Sequence, residues 1–325
     1  MRQAALADTL ELLAIEGDRL FYEGEMAGAL AALCERQGGQ LQAADLAGYR
    51  TCRRAPLRHD YRGARLWVNP PPSSGGLLIA FALALLEEQE PGGSAFGTPK
   101  HLLTLAGVME QTNLARHAGP SDEQLLHDDW VARYRQTLNG RPLATRGTTQ
   151  ISVLDARGNA ASLTLSNGEG CGQVLPGTGI MLNNMLGEED LNPDGFHRWR
   201  DDVRVSSMMA PAVAEHAGRL IALGSGGSNR LRTAILQTLS NLVDFDMSAA
   251  EAVAAPRIHL ERSKLSIEPG FPADAVRLLT DHWPEHQLWD EPNLFFGGTH
   301  TVVYDGHQFT GAGDPRRGGA LRIVP

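Results

Sequence analysis

Residues 148–167 read TTQISVLDARGNAASLTLSN. Two stretches of period-two alternation flank DARGN (155–159), which is rich in turn formers, so the stretch predicts a β-hairpin. On the first strand Thr149, Ile151 and Val153 share one face, and Thr148, Gln150, Ser152 and Leu154 the other. On the return strand Ala161, Leu163 and Leu165 form an apolar face, and Ser162, Thr164 and Ser166 a polar one. A five-residue loop with Leu154 opposite Ala160 sets Ser152 against Ser162, Gln150 against Thr164, and Thr148 against Ser166. Directly opposed residues hold their Cβ atoms roughly 5 Å apart, close enough for two hydroxyls to hydrogen-bond. A surface hairpin whose hydroxyls serve β-propensity and solubility has the same pattern.

The chemistry open to Thr148 separates the two readings. A hydroxyl nucleophile in an ordinary triad needs a histidine base. The sequence has no GxSxG elbow and no HExxH, and its 11 histidines fall in no recognisable motif. One alternative needs no histidine. If the bond between Gly147 and Thr148 is cut, Thr148 becomes a chain terminus and its own α-amine can serve as base. An α-amine titrates near about pH 8, so a useful fraction is neutral under physiological conditions. Gly147 suits such a cut because it tolerates backbone angles that a side chain forbids.

The remaining composition narrows the class. The chain has 325 residues, enough for one large domain or two ordinary ones, and a 42% hydrophobic content that supplies a substantial core. A net charge of −9 argues against a nucleic-acid partner. Of its basic residues only Lys100 and Lys264 are lysine. Cys34, Cys52 and Cys171 have neither metal nor redox spacing, and an odd count leaves at least one unpaired. The longest apolar stretch, LLIAFALALL (77–86), is too short to span a bilayer, so no membrane partner is expected. Met1 leads into an amphipathic, partly acidic helix and not a signal peptide. The expected location is cytoplasmic, or periplasmic if an upstream segment is missing.

Helical periodicity covers 4–16, 24–37, 75–89, 99–117 and 121–138, interrupted by a hairpin around Asp60–Gly63. From Thr148 short strands dominate, with helices near 229–243 and 248–255 and a strand pair near 300–312. The expected division is therefore 1–147, mostly helical, and 148–325, β-rich.

With these residues in view, the chain resembles the γ-glutamyltranspeptidases, N-terminal-nucleophile hydrolases made as self-cleaving precursors. The likeness is carried by FYEGEMAGALAALCERQGGQLQAADLAGYR (21–50), PPPSSGG (70–76), TTQISVLDARGNAAS (148–162), GIMLNNML (179–186), SSMMAP (206–211), GSGGSNR (224–230), APRIH (255–259) and GAGDPR (311–316), in the family's order. It implies an α+β fold, the αββα sandwich of N-terminal-nucleophile hydrolases, lacking the family's N-terminal portion. That portion carries an arginine that clamps the substrate carboxylate. Residues 1–147 resemble the end of the large subunit and 148–325 the small subunit, the two products of one precursor.

The resemblance also implies roles. Thr148 corresponds to the nucleophile and new N-terminus, and Ser166 to a second threonine that hydrogen-bonds it. Asn167 corresponds to an asparagine that holds the substrate's amino-acid end. Glu188, with Asp190 as fallback, stands where an aspartate binds the α-amino group. Ser206 and Ser207 correspond to the serine pair that binds the α-carboxylate, and Gly226 and Gly227 to the oxyanion hole. The departures are Gln150 for a frequent histidine, Ser166 for threonine, and NGEGCG (167–172) for NTTFGSG. Only 17 residues separate Glu188 from Ser206, which implies a pocket without a lid.

The implied reaction is γ-glutamyl transfer or hydrolysis, on glutathione or a related compound, with water or an amine as acceptor and with no metal or organic cofactor. An acylase of glutaryl-type cephalosporins and a non-catalytic homologue are the competing expectations. Two other readings weigh against particular motifs. GSGGSNR before a helix can form a phosphate nest, although it lacks the Lys–Ser/Thr end of a P-loop. Ser73 and Ser74 are expected to cap the helix that follows them.

Overall fold

The computed structural model describes residues 2–87, 89, 95–117, 126, 148–188, 191–192, 195–199 and 202–324. The chain packs as two compact units, Met1–Arg54 with Asn167–Met185, and Ala55–Ser166 with Leu186–Pro325. Each unit draws on both sides of Gly147, so the division expected along the chain is not the division of packing.

The smaller unit contains helices α1 (Ala4–Glu16), α2 (Arg19–Tyr22), α3 (Glu25–Arg36) and α4 (Ala43–Gly48). Met26, Ala27, Leu30 and Leu33 recur at helical spacing on α3 and bury against Leu46 and Leu175. A buried hydrogen bond from the Thr9 hydroxyl to the Thr178 carbonyl (2.9 Å) ties α1 to the 167–185 segment.

The larger unit is built on a sheet. The predicted hairpin at Asp60–Gly63 forms β1 (Leu57–Tyr61) and β2 (Ala64–Val68). Then follow α5 (Ser74–Glu87) and α6 (Pro99–His117). The helix expected over 121–138 lies outside the described residues. Next come β3 (Thr149–Leu154), β4 (Ala160–Leu165), β5 (Ala212–His216), β6 (Arg219–Gly226) and helices α7 (Arg230–Val243) and α8 (Ala249–Ala254). The chain ends with β7 (Ile258–Glu261), β8 (Lys264–Ile267), α9 (Ala273–His282), β9 (His286–Leu288), β10 (Gly298–Tyr304) and β11 (Phe309–Ala312).

Six strands form one antiparallel sheet in the order β1-β2-β5-β6-β10-β11. Helices α5 and α7 cover one face, and the β3–β4 hairpin lies over β6 and β10 on the other. Helix α5 is apolar all round because α6 packs on its outer side. The hairpin turns its polar face inward, and Ile151, Val153, Leu163 and Leu165 stay exposed on its outer face. Hairpin, sheet and helices are three layers of the expected αββα arrangement.

Helix α9 is an addition to the two helices expected after Thr148. It is short, but Ala275 and Leu279 lie four apart on one face and are fully buried. It links β8 to the parallel strand β9, a crossover that parallel pairing requires.

Candidate active site

The hairpin register matches the one read from the sequence: Gln150 opposes Thr164, Ser152 opposes Ser162, and Leu154 opposes Ala160. Asp155 fixes the turn, its carboxylate accepting from the backbone N–H groups of Arg157 and Asn159 (2.9 Å each). The hydrogen bonds from the Asn159 side chain and backbone hold that carboxyl down at about 2.

Between hairpin and sheet lies a hydrogen-bonded layer centred on Gln150, which is buried. Its amide nitrogen donates to the hydroxyls of Ser162 (2.8 Å) and Ser152 (3.0 Å), and its oxygen accepts from the Thr164 hydroxyl (2.6 Å). Ser152 in turn donates to the His300 carbonyl and Ser162 to the Leu223 carbonyl, both at 2.8 Å. A Cβ on Gly224 would overlap the Gln150 amide, so the absence of a side chain there admits Gln150 to the layer. The departure from histidine at position 150 thus places a neutral amide that saturates three hydroxyls.

At one end of this layer the Thr148 hydroxyl donates to the Ser166 hydroxyl at 3.3 Å. The backbone of Thr148 rests on Gly226, where a Cβ would overlap the Thr148 carbonyl oxygen and lie 3.5 Å from the Thr148 Cβ. The chain then turns through Gly227 (φ +131°) and Ser228 (φ +51°) into α7. Both residues occupy the left-handed half of backbone space, which persists only where the surroundings enforce it. Here Arg230 N–H donates to the Gly227 carbonyl (3.1 Å), and Leu231 N–H to the Ser228 carbonyl (3.0 Å). The Asn229 amide donates to Glu261 at 2.7 Å. Burial pushes the Glu261 carboxyl up, but its hydrogen bond with His259 and the charges of His259, Arg232 and Arg116 hold it at about 2. Among the described residues the Gly227 N–H has no hydrogen-bond partner. Gly226 and Gly227 therefore sit beside Thr148, at the N-terminal end of a helix whose dipole favours negative charge there.

The serine motifs also meet. The Ser73 hydroxyl donates to the carbonyls of Ser207 (3.0 Å) and Met209 (2.8 Å), and Ser74 N–H donates to the Ser207 carbonyl (2.8 Å). Ser206 donates to the Ser74 hydroxyl at 3.5 Å, and the Ser207 hydroxyl accepts from Met209 N–H at 3.1 Å. A Cβ on Gly75 would overlap the Met208 carbonyl, so Gly75 lets the start of α5 abut the 206–211 segment. This corrects the expectation that Ser73 caps α5: its hydroxyl bonds go across to the neighbouring segment. Residues 206–211 lead into β5 beside β6, at the same end of the sheet as Thr148.

Glu188 is buried, and its carbonyl accepts from the Asn192 amide (2.6 Å). Asn167 begins the second segment of the smaller unit, where its carbonyl accepts from Gly170 and Asn184 N–H groups. Gly147 and Asp190 lie outside the described residues, as does part of the 188–206 connection. APRIH and GAGDPR meet in a buried ionic network: Arg257 to Asp314 (2.7 Å), Arg316 to Asp314 (3.3 Å) and Arg316 to Glu268 (2.7 Å). Burial pushes the Asp314 carboxyl up, but Arg257 and Arg316 hold it below its ordinary value. This network braces β10 through Thr299, whose N–H donates to Asp314 at 2.9 Å.

Over residues 1–324 the sequence matches the profile of the gamma-glutamyltranspeptidase family. The chain belongs to that family. It is 29% identical over 353 residues to the glutathione hydrolase proenzyme of Escherichia coli (strain K12), covering 97% of this chain and 60% of that one. It is 33% identical over 325 residues to the acylase ACY 1 proenzyme of Pseudomonas sp. (strain V22), covering 93% and 58%. The cephalosporin acylase of Bacillus halodurans has the same fold, with a TM-score of 0.85 at 24% identity, over 100% of this chain and 63% of that structure. The chain thus spans about 60% of the length of the curated relatives it matches. The family members compared include both glutathione hydrolases and acylases.

Gln150 and Arg317 were not assigned a part by sequence reasoning. Gln150 carried a signal, the alternation that put it on the polar face. Arg317 carried none, because its place follows from the path of the chain after β11.

Proposed function

We propose that this chain is a threonine N-terminal-nucleophile enzyme that moves γ-glutamyl groups. A cut between Gly147 and Thr148 frees the Thr148 α-amine. The amine takes the proton of the Thr148 hydroxyl as its oxygen attacks the γ-amide carbonyl of glutathione or a related compound. The negative oxygen of the tetrahedral intermediate faces the N–H groups of Gly226 and Gly227. Collapse breaks the C–N bond, the amine leaves with the proton held on the α-amine, and a γ-glutamyl ester remains on Thr148. Water or an acceptor amine then attacks the ester by the same steps in reverse. Ser166 orients the Thr148 hydroxyl. Ser206 and Ser207 take the α-carboxylate, Asn167 the amino-acid end and Glu188 the α-ammonium group. Residues 1–147 and 148–325 stay together as the two products of one precursor.

The observation that carries this reading is the grouping at one sheet end: a hydroxyl pair 3.3 Å apart, of which Thr148 rests on a glycine turn whose Gly227 N–H has no hydrogen-bond partner among the described residues. Turnover of a γ-glutamyl anilide, abolished by Thr148→Ala, tests it. A second reading, an acylase of glutaryl amides, is favoured by the similarity to acylase ACY 1. Only the γ-glutamyl substrate has an α-ammonium group to pair with Glu188. Preference for the glutaryl amide over the γ-glutamyl anilide would select the acylase.

A further inference from the structure

The two faces of the sheet locate one more charged group. Along β6, the Cβ positions of Gly224 and Gly226 point at Gln150 and Thr148, so both lie on the hairpin side. Gly298 of β10 is directly opposite Gly226, and opposed residues point to the same face. A Cβ on Gly298 would meet the Cβ, Cγ and Cδ of Arg317 at 2.6–2.9 Å. The Arg317 stem therefore lies on the hairpin side of the sheet, one strand spacing from Thr148. Its Nη2 donates to the Leu294 carbonyl at 3.0 Å and lies 3.2 Å from where a Cβ of Gly227 would stand.

The backbone fixes this placement. Arg317 closes the short 3-10 turn Pro315–Arg317, capped by Asp314. Arg317 N–H and Gly319 N–H both donate to the Asp314 carbonyl (3.2 and 2.8 Å), and Asp314 N–H donates to His300 Nδ1 (3.2 Å). Asp314 is itself anchored by Thr299 N–H (2.9 Å) and by Arg257.

Resting on the reading of Thr148 as the new N-terminus, we propose that Arg317 is a positioning residue for the Thr148 α-amine: its guanidinium, laid beside Thr148 by the 314–319 strap, disfavours the protonated amine and so keeps the base available. Like charges close together disfavour protonation. At roughly 6–8 Å and an effective dielectric of about 20–40, the repulsion lowers an amine by roughly one pH unit.

The elements around Arg317 carry other charged groups. From β10 comes His300, whose ring burial keeps below its ordinary value, with Asp314 opposing and Arg317 and Arg257 adding to that effect. From the strap come Asp314 and Arg316, from the start of β7 Arg257, and from α7 Arg230, which donates to the Phe295 carbonyl (3.1 Å). Asp314 pairs with Arg257 and Arg316 and also acts on Arg317, and Glu268 pairs with Arg316. Strands β3, β4 and β6 bring no charged side chain to the Thr148 end.

The test uses the mature protein produced from its gene with isotope-labelled threonine, and follows the Thr148 α-amine through a pH titration by NMR. In the wild type it should titrate roughly one unit below an ordinary α-amine. Arg317→Gln should raise it by roughly one unit, and Arg317→Lys should leave it close to wild type. The acid limb of kcat/KM should move with it. Should Arg317→Gln not fold, the wild type still decides: raising ionic strength should move the amine upward as the repulsion is screened. A mature chain that starts at Thr148 but titrates identically in wild type and Arg317→Gln overturns the role of Arg317 alone, as does a salt-independent amine at the ordinary value. A chain never cut at Thr148 overturns the parent reading and the inference together.

Discussion

Gly226→Ala adds one methyl group at the point where the sheet supports Thr148. The new Cβ would overlap the Thr148 carbonyl oxygen and stand 3.0 Å from its carbonyl carbon, with no flexible side chain to give way. Relief requires the Thr148 backbone to move by about 1 Å, and a misplacement of that size at a reacting group costs about 100-fold in rate. The overpacking should cost about 1–3 kcal/mol of stability. The neighbouring change Gly227→Ala acts differently. Its φ of +131° is strained for alanine, and the Cβ meets Gly297 Cα at 3.0 Å. In the proposed mechanism, turning the Gly227 N–H away would remove one oxyanion donor, a change that costs about 2.7–4 kcal/mol in barrier. Initial rates with a γ-glutamyl anilide and urea unfolding, measured on both variants, separate the two effects. Gly226→Ala with wild-type kcat and wild-type stability would refute the claim that Thr148 rests on Gly226.

Gln150→Leu should destabilise the protein by about 1–3 kcal/mol, because the buried hydroxyl of Thr164 loses its acceptor and those of Ser152 and Ser162 lose a donor; chemical denaturation reads this directly. His101 supplies a pH dependence. Burial lowers its imidazole to about 4, so the folded state keeps it neutral where the unfolded chain protonates it. The stability it contributes is complete above about pH 6.5 and is lost as pH falls toward 4, by up to about 3 kcal/mol. Melting temperature against pH should therefore fall across that window, and His101→Phe should flatten the fall. Thr148→Ser should retain part of the turnover, whereas Thr148→Ala should retain none.

The hairpin was legible because a strict period of two and one Asx-type turn define its two faces, and supposing a five-residue loop pairs the hydroxyls in the register the structure has. The helices at 4–16 and 99–117 were legible from apolar spacing alone. Helix α9 was not, since its buried face consists of little more than Ala275 and Leu279. The direction in which the hairpin faces was only half legible. Its polar face is the buried one, which follows from the sheet beneath it and from Gly224, a position 74 residues from Gln150 in sequence. The glycines at 226 and 227 could be picked from their motif, but the reason for each differs: Gly226 yields space, and Gly227 yields a backbone angle. The partners of Ser73 were hidden because an N-cap and a cross-segment tie look alike in sequence. Arg317 was hidden because only the path of the strap places it.

The N-terminus of the mature piece that carries the β3–β4 hairpin tests the central claim most directly. Protein produced from its gene should be cut between Gly147 and Thr148, and N-terminal sequencing of the piece that follows the cut should read TTQIS. A fully active chain that remains intact, or a mature piece beginning at any residue other than Thr148, would contradict it.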